Sequence, residues 1–254
     1  MLLINWNIIM LMRYRLTRGF IFLFVIVLLV AGSLPGCIPA RVTGSGNIIK
    51  RDFSLADFNK VSIRYGFTAE VKQSSAYSIE VTADDNLFDY IYVKKENDAV
   101  SIGLKAGSYE RSRLQVIVMM PAIRGIELSD GGSTVVSGFS SSDDISIKLS
   151  DGTKLSGSLT AGNVDIALTD GSRVELEGSA KDIKVVSHDG SKAYLENFSV
   201  DNTDLNIGDG GTLTIDVRGT LNADLSAGSH VTYKGNPVLG DINLSAGATV
   251  SKLE

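Results

Sequence analysis

Five aspartates recur in the second half of the chain, each followed by glycine and preceded by a short alternating apolar stretch. Three basic residues recur at a second position, three residues after the aspartate. Stacked carboxylates can bind Ca²⁺ through their oxygens, and with a neighbouring base they could cleave an acidic polysaccharide. The aspartates are Asp130, Asp151, Asp170, Asp189 and Asp209, and the basic residues are Lys154, Arg173 and Lys192.

Carboxylates placed one above another repel, so this row requires either compensation by the basic row or a bound cation. We expect compensation, together with bonds from each Asp side chain to its own turn, because no Ca²⁺-binding loop is recognisable. We therefore predict no cofactor and no enzymatic activity. The alternative is a Ca²⁺-dependent, polysaccharide-active enzyme that uses Asp151, Asp170, Asp189, Arg173 and Lys192.

The elements that position these residues form a repeat. Ile147-Lys148-Leu149-Ser150-Asp151-Gly152 is one copy, and in the last two copies Ala227 and Ala246 replace the aspartate. The glycines of the repeat are residues 131, 152, 171, 190, 210, 228 and 247, so the steps are 18 to 21 residues. A fixed period near 20 is typical of a solenoid, and the alternation is that of strands. We predict an all-β protein, a parallel β-helix with rungs of about 19–20 residues.

Within each copy, three positions are predicted to face the core. In one copy they are Ile166, Leu168 and Val174. Glycine after the aspartate is expected to supply the positive φ of the turn. The connections between rungs are only a few residues long, so they leave little room to enclose a substrate.

The N-terminus has the pattern of a lipoprotein signal peptide. Three arginines precede the apolar run 20–31, which is too short for an ordinary membrane span, and Leu34-Pro35-Gly36-Cys37 follows. Cys37 is the only cysteine in the sequence, so it cannot form an internal disulfide, and we predict that it carries a lipid. An unlipidated secreted protein and an uncleaved N-terminal anchor are the alternatives.

The domain organisation follows from these patterns. Residues 1–36 are the predicted signal peptide, 37–43 a tether, and 44–254 one solenoid domain. Within that domain, 44–121 is less periodic and 122–254 is regular. Asp84 to Tyr90 is predicted to form a short helical turn. Leu253 near the C-terminus leaves the last rung without an obvious cap, so edge-to-edge self-association is a further hypothesis.

Charge and composition exclude several function classes. The full chain has a net charge of −5, and loss of the signal peptide removes three arginines and no acids, which leaves −8. Such a protein is not attracted to nucleic acid. His188 and His230 occupy different positions of the repeat, so they do not predict a zinc site. Tyr194 and Tyr233 are isolated, so they do not predict stacking on a sugar.

Four phrases together resemble the bacterial family of the autotransporter adhesin head, or GIN domain. They are Gly44-Ser45-Gly46-Asn47, the phrase from Asp57 to Val61, the phrase from Ala83 to Leu87, and the Ser/Thr-Asp-Gly repeat. The resemblance covers about residues 44–254. It implies a right-handed parallel β-helix on an exported, lipid-anchored protein. We expect a non-catalytic, adhesion-like or structural binding module of the cell envelope, whose partners are the membrane, through Cys37, and a surface protein or glycan.

Overall fold

The structure is a computed structural model, and it describes residues 41–110 and 112–253. Strands dominate this part of the chain, with one 3₁₀ helix at Asp85–Leu87, inside the predicted helical turn. The first strands are β1 (Arg41–Thr43), β2 (Ile48–Phe53), β3 (Lys60–Ile63), β4 (Thr68–Gln73), β5 (Ser78–Asp84), β6 (Ile91–Glu96), β7 (Ala99–Leu104), β8 (Ser108–Glu110) and β9 (Leu114–Met120).

The regular part contains strands that alternate between two sides of the solenoid. They are β10 (Gly125–Leu128), β11 (Ser133–Ser140), β12 (Ile145–Leu149), β13 (Lys154–Thr160), β14 (Asn163–Leu168), β15 (Arg173–Ser179), β16 (Asp182–Ser187), β17 (Lys192–Ile207), β18 (Thr212–Leu225), β19 (His230–Gly235), β20 (Val238–Leu244) and β21 (Thr249–Lys252). The long strands β17 and β18 each run through both sides of a rung.

The strands form two ladders. In spatial order, the first ladder contains β6, β7, β3, β10, β12, β14, β16, the second halves of β17 and β18, and β20. The second ladder contains β2, β5, β9, β4, β11, β13, β15, the first halves of β17 and β18, β19 and β21. Within each ladder, every pairing from β3 or β4 to the C-terminal end of the solenoid is parallel, which confirms the predicted β-solenoid.

The core lies between the two ladders and has the predicted repeating composition. In one rung Ile147, Leu149 and Leu155 are buried, and the equivalent residues of neighbouring rungs lie over them in register. Burying such a side chain contributes roughly 1.5–3 kcal/mol, so the stacked rungs are stabilised by a continuous apolar column. Ser187 is a polar exception in this column, and its buried Oγ has no hydrogen-bond partner.

The first part of the chain does not stack in the order of the sequence. Strands β3 and β4 lie between the regular rungs and the later strands β7 and β9. The N-terminal end is then closed by antiparallel pairs, β6 with β7, and β2 with β5. Arg41–Thr43, at the end of the predicted tether, pairs with β8 as a separate two-stranded sheet.

Candidate binding surface

One edge of the solenoid is made of stacked two-residue turns, which we call the turn ridge. It contains Asp130-Gly131, Asp151-Gly152, Asp170-Gly171, Asp189-Gly190, Asp209-Gly210, Ala227-Gly228 and Ala246-Gly247. Both residues of every turn have positive φ, for example 56° at Asp151 and 70° at Gly152. The Thr153 N–H donates to the Ser150 carbonyl at 3.3 Å, which closes a type I′ turn. The sequence predicted a positive φ at the glycine, and the structure shows it at the preceding residue as well. Aspartate tolerates this left-handed conformation better than most residues do.

The turns of the ridge are bonded to one another along the solenoid axis. The Gly152 N–H donates to the Asp170 carbonyl at 2.9 Å, and the Gly171 N–H donates to the Asp189 carbonyl at 3.0 Å. Gly131, Gly190, Gly210 and Gly228 make the same bond to the next turn. These bonds fix the five aspartates one rung apart, and their side chains lie along the outside of the ridge.

Two of the ridge aspartates accept a hydrogen bond from the serine that precedes them. The Ser150 hydroxyl donates to Asp151 Oδ2 at 2.6 Å, and the Ser129 hydroxyl donates to Asp130 Oδ2 at 3.0 Å. His188 Nδ1 lies 3.4 Å from Asp209 Oδ2. No group of three His, Cys, Asp or Glu side chains suited to a metal ion occurs in the described part of the chain.

The basic row lies beside the ridge on the outer face of the second ladder. Lys154, Arg173 and Lys192 are directly in register, as are Ser156, Glu175 and Tyr194 two positions further on. We call these six residues the central face. The strands β13, β15 and β17 carry them outward because their alternate residues, such as Leu155 and Val174, enter the core.

Arg173 is the most constrained side chain of the central face. Its Nη2 lies 3.1 Å from Glu175 Oε2, and its guanidinium carbon lies 4.1 Å from the centre of the Tyr194 ring. Within residues 41–110 and 112–253, no ion pair joins Lys154, Arg173 or Lys192 to an aspartate of the ridge. Arg173 instead pairs with Glu175, while Lys154 and Lys192 remain exposed to solvent.

The residues named for an enzyme do not line a described cavity. Asp151, Asp170 and Asp189 lie along the outside of the ridge. One hollow of about 210 Å³ lies on the first ladder between Lys60 and Lys148, and another of about 300 Å³ lies near Phe139. Neither hollow is lined by the three aspartates, Arg173 or Lys192.

The N-terminal end of the ridge has features that the sequence analysis missed. Tyr65 and Gly66 both have positive φ, so they form a further copy of the turn, with tyrosine in place of aspartate. The signal was present in Val61 and Ile63, which have the spacing of the apolar pair in each later repeat. The rings of Tyr90 and Tyr109 lie nearby in an edge-on contact, with centres 5.7 Å apart. Burial raises the pKa of the Tyr109 phenol above its usual 10, and the nearby Tyr90 and Tyr65 raise it further.

Cys37, the predicted lipid attachment site, lies outside the described residues. Across residues 41–110 and 112–253, no helix has the length and apolar character needed to cross a bilayer.

Comparisons with known proteins identify a family and a fold. The sequence pattern of a family described as “Putative auto-transporter adhesin, head GIN domain” matches residues 57–237. No curated protein matches the chain.

Several solved structures share the fold at low sequence identity. A “putative adhesin” from Bacteroides fragilis is 17% identical with a TM-score of 0.78, and the match covers 84% of this chain and 100% of that one. A “putative lipid binding protein” from Parabacteroides distasonis is 18% identical with a TM-score of 0.68, covering 85% and 100%. A “putative adhesin” from Parabacteroides merdae is 15% identical with a TM-score of 0.66, covering 84% and 99%. At these identities the likeness concerns the fold.

Proposed function

Because the chain belongs to the family described as “Putative auto-transporter adhesin, head GIN domain”, we propose that it is an exported, lipid-anchored binding module of the cell envelope without catalytic activity. An adhesin acts outside the cytoplasm, so family membership suggests an exported, surface-facing protein. The solenoid supports this role because it offers flat outer faces of regularly spaced polar side chains. Weak contacts repeated over such a face add up to useful affinity.

The proposed anchor is a lipid on Cys37. Its support is the order of charged, apolar and small residues before Cys37, together with the absence of any second cysteine in the sequence. A single acyl chain holds a protein weakly, whereas several chains on one residue hold it stably at a membrane. The solenoid would then lie outside the cytoplasm, joined to the anchor through the residues that precede β1.

The proposed contact surface is the central face, and the in-register basic row is the observation that carries it. The chain without its signal peptide has a net charge of −8. The three basic residues one rung apart therefore form a positively charged row on an otherwise acidic protein. Electrostatic complementarity then favours an acidic partner, either a glycan or a protein. Tyr194 adds an aromatic surface beside the charges, and its ring is already held by Arg173.

The anchor is tested with the full chain produced in a bacterium that processes lipoproteins. We expect the wild-type chain to incorporate a labelled fatty acid and to partition with membranes. Cys37→Ser should lose the label and appear in the soluble fraction of the envelope or in the medium. A wild-type chain that is exported without a label would refute the anchor, and one retained in the cytoplasm would refute export.

The contact surface is tested by binding of residues 38–254, which include the whole described core, to envelope fragments of the bacterium that carries the protein. Lys154→Glu with Lys192→Glu should weaken binding at low salt by roughly tenfold, at about 0.5–1 kcal/mol for each reversed exposed charge. Lys148→Glu with Lys181→Glu is the matched control, because it makes the same change of charge elsewhere.

The outcomes of this binding test separate the explanations. An equal loss in both double variants would mean that net charge alone governs binding and would refute the central face as the contact. Retained binding in both variants would refute it as well. Periodate treatment of the fragments should abolish binding if the partner is a glycan, and protease treatment should abolish it if the partner is a protein.

A further inference from the structure

The last rung of the solenoid, β20 and β21 with their flanking residues, carries unusually exposed apolar side chains. The exposed fractions are 70% at Val238, 53% at Leu239, 49% at Leu244 and 44% at Leu253. Elsewhere in the described residues, only Ile48 and Val135 are large apolar residues of comparable exposure. Contiguous exposed apolar residues on a soluble protein mark an interaction surface.

Two of these side chains, Leu239 and Leu244, continue the core column of the solenoid. Leu244 is in register with Leu225, and Leu239 is in register with Leu221. Leu225 and Leu221 are fully buried, because the last rung covers them. None of the described residues covers Leu244 and Leu239 in turn, so the core column is exposed to solvent at this end.

The same end presents two open strand edges. Strand β20 pairs with β18, and β21 pairs with β19, and neither has a second neighbour among the described strands. An unpaired edge carries N–H and C=O groups that are ready to bond to another strand. Here the two edges lie on either side of the exposed end of the core column.

The opposite end of the solenoid is built differently. Its edge strand in the first ladder, β6, carries Lys94, Lys95 and Glu96 in sequence. Its edge strand in the second ladder, β2, carries Lys50 and Arg51 followed by an aspartate. Charged side chains on an edge discourage pairing with another chain. One end of the solenoid is therefore protected, and the other is not.

Charge at the open end fits a second copy of the same chain. The aspartate of the ridge is replaced by Ala227 and Ala246 in the last two turns, so the row of like charges stops before the end. Strands β20 and β21 contain one acid, Asp241, and one base, Lys252. Residues 38–254 carry a net charge of −8 and repel their own copies over most of their surface, whereas strands β20 and β21 carry no net charge.

We propose that two copies of the chain associate tail to tail through this last rung, related by a two-fold axis. Strands β20 and β21 of each copy then extend both ladders of the other, and Leu239, Leu244 and Val250 of the two copies cover one another. A single extended peptide could pair with one edge only, whereas a second solenoid end pairs with both. A head-to-tail filament is disfavoured because the other end carries charged edges. Closed two-fold dimers are also the commonest protein assembly.

The test is the oligomeric state of residues 38–254 by sedimentation over a wide concentration range. The wild-type chain should pass from monomer to dimer as its concentration rises. Leu244→Glu should remain monomeric at concentrations at least about tenfold higher, since the dimer would bury the charge. Val135→Glu is the matched control, because Val135 is 47% exposed on the outer face of β11, and it should dimerise like the wild type.

A second measurement locates the contact without relying on a destabilising charge. In residues 38–254, which contain no cysteine, Asn243→Cys and Asn206→Cys each introduce a single thiol at equivalent outward positions, one on the last rung and one two rungs away. A short bismaleimide should join two copies of Asn243→Cys and leave Asn206→Cys as single chains. A wild-type chain that stays monomeric at every concentration would overturn the proposal. Equal cross-linking of the two variants, or equal loss of the dimer in Val135→Glu, would overturn it as well.

Discussion

The carboxylate of Asp84 accepts a hydrogen bond from the backbone N–H of Gly46 at 2.7 Å, across 38 positions of the chain. Its second oxygen accepts the N–H of Arg113 at 2.9 Å. The Asp84 side chain is almost fully buried. One residue thus joins the segment before β2, the end of β5 and the segment before β9. The Gly-Ser-Gly-Asn and Ala-Asp phrases of the sequence are therefore two sides of one hydrogen-bonded joint.

Replacing Asp84 should weaken this joint. Asp84→Ala leaves the N–H groups of Gly46 and Arg113, in two partly buried hydrogen bonds, without their acceptor, and each hydrogen bond to a charged group contributes about 1.5–3 kcal/mol. We expect the free energy of unfolding to fall by roughly 3 kcal/mol in urea titrations. Asp52→Ala, at an exposed position of β2, should change it by less than about 0.5 kcal/mol. An equal loss of unfolding free energy in Asp84→Ala and Asp52→Ala would show that the two hydrogen bonds to Asp84 do not stabilise the fold.

The neighbouring Asp85 gives the same region a pH dependence. The Ser45 hydroxyl and then the Asn47 amide hold the pKa of the Asp85 carboxyl below its ordinary value of 3.8. Because the folded pKa is the lower one, the charged form stabilises the fold above pH 3.8. That contribution is lost as the pH falls through the folded pKa.

Removing the Ser45 hydroxyl therefore has a defined effect on titration. In Ser45→Ala the pKa of Asp85 should rise towards 3.8, as measured by NMR of its carboxyl carbon. Ser75→Ala, beyond the opposite end of β5, should leave the Asp85 titration as it is in the wild type. An unchanged Asp85 titration in Ser45→Ala would contradict the assignment of this pKa to the Ser45 hydrogen bond.

Two glycines of one rung should respond very differently to alanine. At Gly157, where φ is 131°, an added Cβ would lie 1.9 Å from the Val136 carbonyl oxygen of the preceding rung. At Gly152, where φ is 70°, an added Cβ would have no neighbouring atom within 4 Å. Gly152→Ala should cost about 1–2 kcal/mol of stability, because only the left-handed conformation is strained.

Gly157→Ala must separate two rungs, so we expect a loss of more than about 3 kcal/mol or failure to fold. Thermal unfolding of the two variants side by side checks this. Gly178 and Gly235 approach a carbonyl of the preceding rung in the same way, so Gly178→Ala should behave like Gly157→Ala. Similar stabilities for Gly152→Ala and Gly157→Ala would contradict the close approach of the two rungs at Gly157.

The stability of residues 38–254 should not depend on Ca²⁺. The ridge aspartates lie in a row, and Asp130 and Asp151 each accept a serine hydroxyl, so they do not converge on a common point. We expect melting curves in excess chelator and in millimolar Ca²⁺ to coincide. A rise of several degrees would correspond to about 1 kcal/mol or more of binding energy and would restore the ridge as a metal site.

Much of the fold was predictable because the repeat places apolar residues and turn residues at the same positions in every rung. The alternation of Ile147, Leu149 and Leu155 indicates which side chains enter the core, and the Asp-Gly pairs locate the turns. The family resemblance pointed to the same architecture. The first copy, at Tyr65-Gly66, was missed because tyrosine stands where the later copies have aspartate, although Val61 and Ile63 keep the apolar spacing.

The sequence alone determined the strands, their inward faces and the row of aspartates, since these depend on local periodicity and on identical rungs stacking in register. Only the tertiary structure decided that β7 and β9 stack outside β3 and β4, that Arg173 lies on Tyr194, and that Leu239 and Leu244 are left uncovered. Strand pairing uses backbone groups that every residue shares. The choice of neighbour therefore leaves no local trace in the sequence and depends on how the whole chain packs.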